Sequence, residues 1–115
     1  MICKTYDDDN IFAKILRGEI PAAKITENKF ALAFKDIHPK APFHALVVPK
    51  GAYSNIYHFI KDAPEAEQIG FWKLVADVAE IAETDGFNVF VNTGESHGQE
   101  VPHFHAHILA GRKLV

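Results

Sequence analysis

The stretch Val101-Pro102-His103-Phe104-His105-Ala106-His107-Ile108-Leu109 sets three histidines two residues apart. In extended backbone alternate side chains point to opposite faces, so the three imidazoles are expected on one side of a strand, with Phe104, Ala106 and Ile108 on the other. The apolar set then faces a core while the imidazoles face a site. Imidazole has the unperturbed pKa nearest neutrality, so such a row offers a nucleophile, an acid, a base or metal ligands at pH 7.

Just upstream, Asn92, Gly94, Ser96, Gly98 and Gln99 supply small residues and amide donors in a loop. The net charge of −3 provides no general attraction for nucleic acid or an anionic membrane, so any phosphate has to be held by local hydrogen bonds of this kind. At 115 residues, 48% hydrophobic and 23% charged, the chain has the size and composition of one globular domain over residues 1–115. No apolar run reaches the ~20 residues of a membrane span. Residues Met1 to Asn10 lack the apolar core of a signal peptide and Cys3 has no cysteine partner, so a cytoplasmic location is expected.

Working toward the N-terminus, Phe87 to Asn92 reads as a strand preceded by the break Asp85-Gly86. Asp62 to Thr84 reads as one long helix with Asp62 as N-cap, Glu65 in the capping position and Pro64 in the first turn. Its apolar residues form two stripes, Phe71, Leu74, Val78, Ile81 and Ile69, Trp72, Val75, Ala79. That arc is wider than one sheet requires, and part of it is expected to meet a partner. Strands are expected at Phe43 to Val48, and at Lys24 to Glu27 and Phe30 to Lys35 joined by a tight turn at Asn28-Lys29. Asp7 to Asn10 offers caps for a short helix carrying Ile11, Phe12, Ile15 and Leu16, with Gly18 behind it. Five strands with hairpins and a helical crossover make an α+β protein.

Three chemistries fit the histidine row. Two histidines two apart can chelate zinc, with His44 or His58 as further ligands, but His103 and His107 lie about 13 Å apart along an ideal strand at ~3.3 Å per residue, too far to share one ion. Alternatively, a neutral imidazole can attack phosphorus, given an acceptor for its other nitrogen and donors for the phosphate oxygens. Finally, some of the row can be bracing, above all His103 beside Pro102. His38, His58 and His97 fall in loops or helix flanks and are expected to be exposed.

The row followed by Ile108-Leu109 resembles the motif of the histidine triad (HIT) proteins, in particular their Hint-like nucleotide-binding branch. The likeness extends to Gly98 to Pro102, Ile11 to Ile15, Gly18 to Ala22, Phe34 to Ile37, and Pro39 to His44 leading to Val47-Val48-Pro49-Lys50. It implies a HIT-like fold, a five-stranded antiparallel sheet with one short N-terminal helix and one long helix. It further implies a homodimer joined through the long helix and the strand after it.

The implied activity is hydrolysis of a purine nucleoside 5′-phosphoramidate of AMP type through a nucleotidyl-histidine, with no cofactor. Its alternatives are a dinucleoside polyphosphate hydrolase and a non-catalytic nucleotide-binding module. By the same resemblance His105 is the nucleophile; His107, Asn92 and the backbone around Gly98, Gln99 and Val101 contact the phosphate; and His44 and His103 brace the site. Asp36 holds the ribose, and Ile11, Phe12, Ile15, Phe34 and Ile37 form the base pocket. Glu100 stands where relatives often carry a Ser or Thr that serves the leaving group. A carboxylic acid there protonates an amine only if its pKa is raised; otherwise the side chain turns to solvent and only its backbone faces phosphate. The cysteines that hold zinc in some relatives are Asn10 and Ala13 here, so no metal is expected. The sequence reaches Val115 without the C-terminal tail that helps set substrate choice in the family.

Overall fold

A computed structural model of the protein describes residues 1–111. Helices α1 (Ile11–Leu16), α2 (Ile56–Asp62) and α3 (Glu65–Ile81) accompany strands β1 (Lys24–Glu27), β2 (Ala31–Lys35), β3 (Phe43–Pro49), β4 (Phe87–Phe90) and β5 (Ala106–Ala110). The strands form one antiparallel sheet in the order β1-β2-β3-β5-β4. This is the expected α+β architecture with one helix more.

The extra helix, α2, is capped by Asn55, and a proline separates it from α3. Crowding between a proline ring and the preceding residue disfavours helical backbone there, and Ala63 is extended at φ −75°, ψ 141°. The expected helix therefore starts only at Glu65 and ends at Ile81, and α2, which was not expected, lies ahead of it. Asp62 ends α2 instead of capping α3, Pro64 occupies the N-cap of α3 without a side-chain bond, and Glu65 and Glu67 fall in the first turn, where the helix dipole favours them. Gln68 ties the joint by donating to the carbonyls of Ala63 and Ile60.

At the first hairpin the connection is longer than expected. Asn28 Oδ1 accepts from the N–H of both Phe30 and Ala31, so Phe30 belongs to the turn and β2 begins at Ala31. Asn28 Nδ2 donates to Gly70 O of α3. The Phe30 ring lies so close to Gly70 that a Cβ there would meet it at 2.4 Å, so only glycine lets this turn dock on the helix.

One face of the sheet presents Ala31, Ala33, Ala45, Val47, Ala106 and Ile108 to Phe71, Leu74, Val75 and Val78 of α3. Small side chains on the strands let the helix approach closely. Phe59, Phe71 and Phe104 pack as tilted rings at centroid separations of 4.8 to 5.3 Å and are fully buried, a burial that stabilises by roughly 2–3 kcal/mol per ring. The α3 stripe made of Phe71, Leu74 and Val78 is thus the core stripe. Ile69, Trp72 and Ile81 remain exposed, as do Phe87 and Val89 of β4. On the opposite face α1 packs Phe12 against Phe34, Leu46 and Val48. Asn10 caps α1, its Oδ1 accepting from Ala13 N at 2.9 Å. Among the described residues no helix is long and apolar enough to cross a membrane.

Candidate active site

Only His107 of the histidine run lies within β5; His103 and His105 precede the strand. The ladder stops because Pro49, which would stand opposite Phe104, has no N–H to give, and Phe104 N bonds Tyr53 O instead. The alternation survives. Phe104, Ala106 and Ile108 enter the core beneath α3, while the histidines turn to the other face. There the His105 ring meets Phe12 edge-on at 5.0 Å and His107 at 5.1 Å, and His107 stacks on Phe90 of β4 at 4.3 Å.

Backbone partners settle the tautomers, since an amide N–H only donates and a carbonyl only accepts. His105 Nδ1 is 2.8 Å from His103 O, so Nδ1 carries the proton and Nε2 keeps its lone pair. His103 Nε2 is 2.9 Å from Pro49 O and must be its protonated nitrogen. His44 Nδ1 accepts from Lys40 N at 3.0 Å, which puts the His44 proton on Nε2. That Nε2–H donates to His107 Nδ1 at 2.9 Å, with Asp36 Oδ2 more distant at 3.4 Å. His107 is left with Nε2–H as a donor. A lone pair on His105 and an N–H on its neighbour are what nucleophilic attack on a phosphorus bearing anionic oxygens requires.

Burial keeps the row neutral. It is the first cause pushing His103 and His107 down to about 4, and it also lowers His105 and His44. In His105 the carbonyl of His103, Asp36 and Glu100 oppose the shift without cancelling it. Among the described residues no buried side-chain nitrogen or oxygen lacks a partner.

Asp36, His44 and His107 bring ligand atoms within 4.8 Å of one another, a geometry that a metal ion could bridge. Ligation through His44 Nε2 would need its lone pair there, yet the Lys40 N–H already occupies the other nitrogen as a donor. Ligating histidines ordinarily do the reverse, donating from the second nitrogen, so these residues fit a hydrogen-bonded chain better than a metal centre.

The loop from Asn92 to Val101 closes on itself. Gly98, in left-handed backbone at φ 87°, ends a short 3-10 turn, Glu95–His97. Gly98 N donates to Glu95 O and Gln99 N to Gly94 O, so these two amides are engaged inside the loop. Gln99 is buried and acts as a staple: Oε1 accepts from Gly94 N, and Nε2 donates to Ser54 O and Val101 O. Asn92 Nδ2 reaches Gly98 O only at 3.5 Å, and Glu100 is exposed. Of the five apolar pocket residues, Phe12, Phe34 and Ile15 pack together, whereas Ile11 is exposed and Ile37 is 82% exposed just after Asp36. His38 and His97 are exposed as expected. His58 is not: its Nδ1 accepts from Ser54 N at 3.0 Å and its ring packs on Tyr53, because α2 turns it inward.

The HIT domain family matches residues 17–114. The chain belongs to the HIT family. A 13.2 kDa HIT-like protein of Azospirillum brasilense is 50% identical over 115 residues, covering 98% of this chain and 94% of the relative. Among solved structures, a HIT-like protein from Bartonella henselae, described as involved in cell-cycle regulation, superposes with a TM-score of 0.84 at 34% identity over 97% of this chain and 84% of that one. A HIT family hydrolase from Clostridium thermocellum gives 0.82 at 32% identity, covering 95% and 96%. His103, His105 and His107 all lie within the matched residues. Reasoning from sequence missed Tyr6, Phe90, Pro49 O and the Lys40 amide. Of these only Phe90 had a signal, as an alternating aromatic on the strand that pairs with the histidine strand.

Proposed function

We propose that this HIT protein is a hydrolase of the Hint-like branch that cleaves purine nucleoside 5′-phosphoramidates through a nucleotidyl-histidine. The observation that carries the reading is His105: buried, lowered in pKa, protonated on Nδ1 toward His103 O, and therefore bearing its lone pair on Nε2.

In the proposed reaction Nε2 attacks the α-phosphorus as the P–N bond to the amine breaks, and the departing amine takes up a proton from solvent. His103 O steadies the positive charge that builds on the His105 ring, and His107 Nε2–H and Asn92 Nδ2 donate to the phosphate oxygens. Water then attacks the same phosphorus, the P–Nε2 bond breaks, and the nucleoside monophosphate leaves. Asp36 accepts from the ribose hydroxyls. Phe12, Phe34 and Ile15 form the wall of the purine pocket, with Ile11 and Ile37 at its rim. Because Ile69 is 56% and Trp72 40% exposed, with Ile81, Phe87 and Val89 also uncovered, the working form is a homodimer in which a second copy covers α3 and β4.

The test compares turnover of an adenosine phosphoramidate with that of a diadenosine polyphosphate, with and without EDTA, alongside AMP affinity. Preferred cleavage of the phosphoramidate, unchanged by chelator, is expected. Tight AMP binding without turnover of either would overturn the assignment.

A further inference from the structure

Tyr6 belongs neither to the histidine run nor to α1, yet its hydroxyl lies 2.6 Å from His103 Nδ1, with the rings edge-on at 5.5 Å. Since Pro49 O accepts from His103 Nε2–H, Nδ1 is the lone-pair nitrogen and the phenol is the donor. Burial raises the Tyr6 pKa, which keeps it a phenol. His103 is fully buried, and the half-buried Tyr6 supplies the hydroxyl that its Nδ1 accepts from.

The next link runs through the backbone of His103. Its N–H donates to Val101 O at 2.9 Å, and its carbonyl receives the His105 Nδ1 proton at 2.8 Å. With both ring nitrogens tied, the His103 side chain has one orientation, and the peptide that carries it is held with it. Removing the phenol leaves a buried lone pair without a donor, a condition the ring relieves by rotating or by moving its proton. Either change shifts the carbonyl on which the tautomer of His105 depends. The segment holding Tyr6 is anchored independently, by Asn55 Nδ2 donating to Cys3 O at 2.7 Å and by the exposed Lys4–Asp62 pair.

We infer that Tyr6 is a positioning residue for phosphoryl transfer: through His103 it holds the carbonyl that keeps Nδ1 of His105 protonated and Nε2 free to attack. This rests on the hydrolase reading above.

The experiment compares wild type, Tyr6→Phe and Asn55→Asp by steady-state kinetics on an adenosine phosphoramidate and by 15N NMR of the histidine rings. Asn55→Asp keeps the oxygen that caps α2 by accepting from His58 N, but removes the donor to Cys3 O. Tyr6→Phe is expected to lower kcat about tenfold with KM within about twofold, the signature of lost alignment in the transition state. In its spectrum His105 should lose its single Nδ1–H form. Asn55→Asp should keep wild-type kcat and the wild-type tautomer. An unchanged kcat and tautomer in Tyr6→Phe would overturn the inference, and so would equal losses in both variants, which would mean that only docking of the segment matters. If the wild type turns over no phosphoramidate, the hydrolase reading falls, and the NMR comparison alone still decides whether Tyr6 controls His105.

Discussion

Holding His103 neutral in the interior has a cost that appears in acid. Its pKa is pushed down to about 4, chiefly by burial, against 6.5 in an unfolded chain. Above pH 6.5 the residue is neutral in both states and pH has no effect through it. Between 6.5 and 4 the unfolded chain binds the proton and the folded protein does not, so stability falls as pH falls; below 4 both states are protonated and the loss levels off. At about 1.4 kcal/mol per pH unit, that interval amounts to about 3 kcal/mol from this one residue, a large share of the roughly 5–15 kcal/mol typical of a domain. Urea unfolding of wild type and His103→Gln at intervals from about pH 7 to about pH 4 measures it. Glutamine retains a donor for Pro49 O and an acceptor for the Tyr6 hydroxyl but does not titrate. His107, also near 4, is present in both proteins and drops out of the difference. The wild type should lose about 3 kcal/mol more than the variant across this window. Parallel curves would refute the claim that buried, neutral His103 carries this term.

His105→Asn should remove all but a few per cent of turnover in a phosphoramidate assay while AMP affinity, by calorimetry, stays within about tenfold, because the nucleophile acts mainly in the transition state. If the proposed homodimer forms, a charge on the exposed apolar face, Trp72→Glu, should leave a monomer by light scattering at micromolar protein, whereas a wild type already monomeric would dismiss the interface. Glu100 is exposed, so Glu100→Gln should slow substrates with basic and with good leaving groups equally, by less than about threefold. A selective loss on the basic leaving group would restore it as the proton donor.

Local patterns determined a good deal. Period-two alternation from His103 to Ile108 separates core-facing Phe104, Ala106 and Ile108 from the histidines, and this held although the ladder covers only His107, because alternation belongs to the extended chain and not to its pairing. Asn10 was legible as a cap, and the two stripes on α3 separated only in part: Phe71, Leu74 and Val78 of one are buried and Ile69 and Trp72 of the other exposed, but Val75 joins the core and Ile81 is uncovered. What failed locally was the helix boundary at Pro64, where the steric effect on Ala63 outweighed a plausible capping pattern. The chemistry of the site was decided only in three dimensions. A histidine looks the same in sequence whether its lone pair is on Nδ1 or Nε2. The choice is made by a carbonyl two residues away for His105, by Pro49 and Tyr6 for His103, and by the Lys40 amide acting through His44 for His107. The residue types were therefore written in the chain, while the position of each proton followed from which backbone groups the fold brings to each ring and from the burial that keeps the rings uncharged.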